Sequence, residues 1–131
     1  MIAEALFYLA LNIYHEARGE PIHAQIAVAE VTLNRVNSPN YPDTIKGVVT
    51  QTGGGSCAFS WYCDGKSDKP KDKKSWTRAL FLADFIMDQG DYISVVGEDA
   101  LFYHNLSVTP YWLSDVKKLT TVGNHVFYKK Q

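Results

Sequence analysis

Charge of one sign is what this chain most plainly lacks. Its 13 Lys and Arg nearly offset 14 Asp and Glu, for a formal net charge of −1, so no general electrostatic pull draws it to nucleic acid or to an anionic membrane, although local patches remain open. Long apolar runs are missing too. The most apolar stretch, near the start, is broken by Glu4 and Asn12 and is too short to cross a bilayer. It lacks the basic segment before it and the small-residue cleavage site after it that a secretory signal wants, so it reads as a core helix. Cysteine is confined to Cys57 and Cys63. A thiolate zinc site would want more sulfur, or a histidine at ligand spacing. What remains is a short-range disulfide, of the kind formed in the periplasm or outside the cell, or else a reduced pair.

The 131 residues that are present, 46% hydrophobic and 21% charged, suit one domain spanning 1–131 with a proper core. The stretch around which the rest is arranged is His15-Glu16-Ala17-Arg18-Gly19-Glu20-Pro21. Leu6, Leu9, Ala10, Ile13 and Ala17 recur on one helical face, which predicts a buried helix over about 3–18 with Glu16 in its last turn. Gly19 can take the left-handed conformation that closes a helix, and Pro21 pushes Glu20 out of the helical region. Glu16 is then held rigidly while Glu20 lies beyond the end.

A helix C-terminus carries partial negative charge and an apolar face excludes water, so both disfavour an ionised Glu16. A glutamic acid kept protonated near neutral pH can serve as a general acid toward a leaving oxygen. Arg18 pulls the other way, and an exposed helix-end glutamate without special chemistry is the plain alternative.

Further along, Pro21 stands as the first residue of a second helix reaching about Val36, apolar enough around its cylinder to be central. Gln25, Glu30 and Asn34 interrupt it, either bracing the first helix or, preferably, facing water. Residues 38–42 form a turn-rich connector, and Asp43 or Thr44 caps a short helix over about 44–51. Beyond a glycine-rich loop, Cys57 to Gly65 reads as a small β-hairpin whose Trp61 and Tyr62 can stack on sugars or simply pack. Residues 66–74 read as a solvated lysine-bearing loop. Ser75 is expected to cap a third long helix through about Gln89, stopped by Gly90. The remainder predicts an extended segment over Ala100 to Asn105 carrying Tyr103 and His104, an aromatic turn over Thr109 to Leu113, and a last extended segment over Val122 to Tyr128. His125 in that segment is either structural or a neighbour of Glu16.

Taken together, His15 to Pro21, Gln25 with Ala27-Val28-Ala29, Leu33-Asn34-Arg35-Val36, Tyr41-Pro42 with Thr44-Ile45, Phe59-Ser60-Trp61 with Asp64-Gly65, and Val122 to Tyr128 resemble, in order, the cell wall hydrolase family of the spore-cortex enzymes SleB and CwlJ. The resemblance covers nearly the whole chain. It implies a mainly α, lysozyme-like α+β domain with a small β-hairpin region. Its substrate would be the glycan strands of peptidoglycan, cut between N-acetylmuramic acid and N-acetylglucosamine without cofactor or metal. Glu16 would be the catalytic acid; Ser60, Tyr103, His125, Phe59 and Glu20 would meet the substrate.

The resemblance also implies a lytic transglycosylase, in which one glutamate protonates the glycosidic oxygen and then helps a sugar hydroxyl close a 1,6-anhydro ring. Muramidase hydrolysis assisted by Glu20 or Asp64 is the alternative within that chemistry. A zinc-dependent amidase is disfavoured because HExxH spacing is absent; a non-catalytic wall-binding module is the remaining option. The expected protein is a monomer, without nucleic-acid partner or membrane insertion, that acts on the bacterial wall. The absence of a signal peptide and of a wall-binding module in this chain, and the added cysteine pair, count against a spore-germination role; a bacteriophage endolysin, held in host cytoplasm until release, is slightly favoured over a bacterial enzyme expressed as its catalytic domain.

Overall fold

The computed structural model describes residues 2–89 and 93–131. Helix α1, Ile2–Ala17, forms where the apolar periodicity places it: Leu9, Ala10, Ile13 and Ala17 are almost completely buried. Gly19 closes it at φ +83°, a conformation that a side-chain-bearing residue adopts at a cost. Helix α2, Ile22–Val36, follows at once, with Pro21 as its N-cap rather than its first helical residue. Helix α3, Ile45–Val49, is capped by Thr44, whose hydroxyl accepts from the Gly47 N–H.

Helix α4, Lys73–Gln89, lies against α1 and α2, and Leu9, Ala10, Ile13, Tyr14, Ala29, Leu82 and Ile86 interdigitate there. Its cap corrects the expectation: the Asp72 carboxylate, not Ser75, accepts from the Ser75 N–H (3.2 Å) and hydroxyl (3.1 Å), because an acceptor one turn earlier satisfies the free N–H groups. The expected stop at Gly90 falls outside the described residues.

A three-stranded antiparallel sheet completes the fold in the order β3-β5-β4, with β3 at Phe102–Asn105, β4 at Val116–Val122 and β5 at His125–Lys130. Tyr103 pairs with Phe127 and Asn105 with His125. Strand β4, unanticipated from sequence, is mostly exposed; it is a strand because it pairs with β5, not because of its own pattern. The aromatic turn is present as a 3-10 turn over Tyr111–Asp115. Phe127, Val28, Val31 and Ala17 join the sheet to α1 and α2.

The expected hairpin over Cys57 to Gly65 is displaced. Strands β1, Thr52–Gly53, and β2, Ser56–Cys57, pair around Gly54 and Gly55, and Ser60–Cys63 is a 3-10 turn. The turn residues lie in the glycine run before the cysteines, so the reversal occurs there. Cys57 and Cys63 are disulfide-bonded, with Cα atoms 5.9 Å apart, tying β2 to the end of the 3-10 turn. The polar residues of α2 do not face water either. Gln25 donates to the Glu20 carbonyl (3.0 Å). The Glu30 carboxylate accepts from the N–H groups of Val95, Val96 and Gly97 and the Ser94 hydroxyl, and Asn34 donates to the carbonyls of Gly97 and Ala100. These groups hold the irregular approach to β3, whose backbone has few ladder partners.

Candidate active site

The last turn of α1 carries Tyr14, His15 and Glu16 to one end of a cleft of about 590 Å³. Its other walls are Ser60 and Trp61 from the 3-10 turn, Asp64 just after it, and the 66–71 loop. Glu16 is half-buried. One carboxylate oxygen accepts a 2.7 Å hydrogen bond from the Tyr103 hydroxyl, presented by β3. Burial pushes the Glu16 pKa upward, against the Tyr103 hydrogen bond and the Arg35 charge, which pull it down. Tyr103 shifts well upward as well, through burial and the neighbouring carboxylate, and so remains a donor.

Buried polar groups anchor this arrangement. Asn12, fully buried, donates to the Thr32 hydroxyl (3.2 Å) and accepts from the Trp61 indole N–H (2.9 Å). Trp61 in turn stacks on His15 at a centroid distance of 4.5 Å. Arg35 donates from Nε to the Leu101 carbonyl (2.8 Å) with its guanidinium over the rings of Tyr41, Phe59 and Phe102. Asn12, His15 and Arg35 were not among the expected site residues. Asn12 is the one the sequence signalled, as a polar break in an otherwise apolar helical run.

Of the expected residues, Glu16, Tyr103 and Ser60 come together, the first two in direct contact and Ser60 exposed on the shared cleft. Phe59 does not reach the cleft surface. It is 3% exposed and packs with Leu11, Val48 and Val49, its ring 6.3 Å from that of Tyr103, because the turn that exposes Ser60 points the preceding side chain inward. Glu20 points away from the cleft: its carboxylate accepts from the backbone N–H and side-chain amide of Asn124, each at 2.8 Å. Those bonds and the neighbouring His125 outweigh desolvation and lower its pKa. His125 is buried, its ring edge-on to Tyr103 at 5.5 Å and its Nδ1 3.7 Å from Glu20. Burial lowers its pKa against the pull of Glu20 and the Glu16 backbone carbonyl. Among the described residues no three His, Cys, Asp or Glu side chains converge as a metal cage, and no helix is long and apolar enough to cross a membrane.

Two solved structures share this fold closely. The catalytic domain of the germination-specific lytic transglycosylase SleB from Bacillus anthracis superposes with a TM-score of 0.72 at 30% identity, covering 95% of this chain and 93% of that one. The catalytic domain of the Bacillus cereus SleB protein gives 0.68 at 30% identity over 96% and 91%. The fold is thus the lysozyme-like α+β class, mainly helical with small sheets. The sequence description of the cell wall hydrolase family matches residues 19–128, and the chain belongs to that family. The match begins just after Glu16. Spore cortex-lytic enzymes of Oceanobacillus iheyensis and Bacillus subtilis are 34% and 32% identical over 92% and 91% of this chain; that of Halalkalibacterium halodurans is 31% identical over 91%. The aligned part is 40%, 35% and 33% of those proteins, respectively, so the chain spans between a third and two fifths of their length.

Proposed function

We propose that the chain cuts peptidoglycan glycan strands between N-acetylmuramic acid and N-acetylglucosamine as a lytic transglycosylase, with Glu16 as acid and then base. The observation that carries this reading is a half-buried carboxyl of raised pKa at the end of an open cleft, bonded to Tyr103 through one oxygen. The other oxygen is left to hold the proton. Glu16 gives that proton to the glycosidic oxygen as the bond to the anomeric carbon breaks. The resulting carboxylate is stabilised by the Tyr103 hydroxyl and accepts the proton of the muramic acid 6-hydroxyl, whose oxygen closes on the anomeric carbon. The proton count returns to its start, and no water is consumed. Ser60 contributes a hydroxyl to a sugar oxygen or to Glu16, while His125 and Phe59 support the Tyr103 ring. The domain acts as a monomer at the bacterial wall, needing neither metal nor cofactor, whether its source is phage or bacterium.

A second reading, muramidase hydrolysis, is favoured by one feature: Asp64 lines the same cleft and is a candidate base for water. Mass spectrometry of fragments released from purified peptidoglycan separates the two. Anhydro-muramic ends support transglycosylation, and reducing ends carrying oxygen from labelled water overturn it in favour of hydrolysis. Free stem peptides point to an amidase, and tight binding without release to a wall-binding module; either result overturns the proposal.

A further inference from the structure

The cleft beside Glu16 is lined by more basic than acidic side chains although the chain as a whole is not basic. Arg18, Lys66, Lys69 and Lys71 line it, against Asp64 and Asp68. Glu16 apart, these side chains carry an excess of two positive charges, while the chain carries a net −1. A lysine-bearing loop is most often only solvated surface, but this one is fastened. The Tyr14 hydroxyl accepts from the backbone N–H groups of Lys71 (3.1 Å) and Asp72 (3.0 Å). The ring Nε2 of His15 lies 2.8 Å from the Asp68 carbonyl oxygen, and the Cys57–Cys63 bond pins the segment just before the loop. Both side chains that fasten it belong to the same helical turn as Glu16. The loop backbone that carries the lysines is therefore fastened to the turn of α1 that bears Glu16, and the lysine side chains extend from it into solvent.

Resting on the glycan-cleaving reading above, we propose that the 66–71 loop is a subsite for the carboxylates of the stem peptide on the muramic acid bound beside Glu16, and that it makes peptide-bearing strands the preferred substrate. The cation set fits the ligand. A glycan stripped of its peptides offers the lysines a single lactyl carboxylate on each muramic acid, whereas a stem peptide attached at the lactyl group brings several carboxylates within reach of the cleft. Each exposed lysine contributes a modest Coulombic attraction, so three together are expected to change affinity by roughly tenfold, less at high salt.

The test compares glycan oligomers carrying stem peptides with the same oligomers stripped of peptide by an amidase. Binding is measured in the uncleaving Glu16→Gln background and cleavage in the wild type. The expected result is tighter binding of peptide-bearing oligomers by about tenfold, lost when Lys66, Lys69 and Lys71 are all changed to Gln and unaltered when Lys117 and Lys118 on β4 are changed instead. Equal binding of the two oligomers, an equal loss on both in the triple variant, or the same effect from the β4 pair would each overturn the subsite. Cleavage by the wild type with no such preference would leave the glycan-cleaving reading standing and sink only this one. A peptide preference in binding without cleavage of either oligomer would do the reverse.

Discussion

Glu16 and Glu20 lie one helical turn apart in sequence, yet the regions that receive them treat them oppositely. Glu16 ends a core helix, loses water, and is met by a hydroxyl from a strand 87 residues away; its pKa goes up. Glu20 follows the left-handed Gly19, stays nearer solvent, and is met by two N–H donors of the β4–β5 turn; its pKa goes down. One carboxyl is pushed toward its protonated form by burial, and the other is held as an anion that fastens a turn. Gly123 shows how close that fastening is: at φ +58°, a Cβ there would sit 2.7 Å from Glu20 Oε1 and 3.1 Å from Ala24 Cβ. His125 touches both regions, edge-on to Tyr103 and 3.7 Å from Glu20.

The same substitution at both glutamates should break the symmetry most sharply. Glu16→Gln is expected to lower glycan cleavage by on the order of a hundred- to ten-thousand-fold with fold and wall binding retained, since the amide keeps the shape and has no transferable proton. Near-normal release of muropeptides by a folded variant would remove Glu16 from the mechanism. Its stability should move the other way. An acid whose folded pKa is raised loses stability as pH climbs from the ordinary value of about 4.3 through that raised value. The variant should therefore gain in melting temperature over wild type near neutrality, and the gain should fade on acidification.

Tyr103→Phe comes next. It removes the hydrogen bond that restrains the Glu16 pKa, so the pH–activity profile should shift to higher pH. Cleavage should fall by roughly ten- to a hundredfold, the value of a hydrogen bond to a charged group. A reduced rate with an unmoved profile would mean the ring, not the hydroxyl, matters.

Glu20→Gln should leave most activity in place and instead cost about 1 kcal/mol, discounted for a surface site. A carboxylate whose folded pKa is lowered contributes stability above about pH 4.3 that is lost as pH falls through the folded value. Thermal melts across pH should thus show the loss at neutrality and its disappearance in acid, opposite in sign to Glu16→Gln. Equal activity losses at the two positions would instead favour a two-carboxylate hydrolase.

The smallest effect is expected from Cys57→Ser with Cys63→Ser, which touches the cleft wall and neither glutamate. So short a loop returns less than the ~3 kcal/mol of a fifteen-residue one. The melting temperature should drop modestly while oligosaccharide binding, followed by fluorescence titration, weakens more. An unchanged affinity would show that the 3-10 turn holds itself.

Sequence alone was sufficient for the features that neighbouring residues control. The apolar repeat of α1, its arrest at Gly19 and the position of Glu16 in its last turn depend on side-chain period and backbone preference within a few residues, as does a cap at Asp43 or Thr44, of which the structure uses Thr44. The Cys57–Cys63 pairing is comparably short in range, and the ordered motifs were enough to name the family. What folding alone decided is the company each polar group keeps. That Tyr103 meets Glu16, that Asn124 claims Glu20, that Glu30 and Asn34 clamp the approach to β3, and that β4 is a strand at all depend on segments dozens of residues apart being brought together. Even the hairpin was misplaced: aromatic content pointed to Cys57 to Gly65, whereas the reversal falls at Gly54 and Gly55 in the glycine run before it. A carboxyl's pKa follows from burial and partners, and neither is a property of the few residues around it.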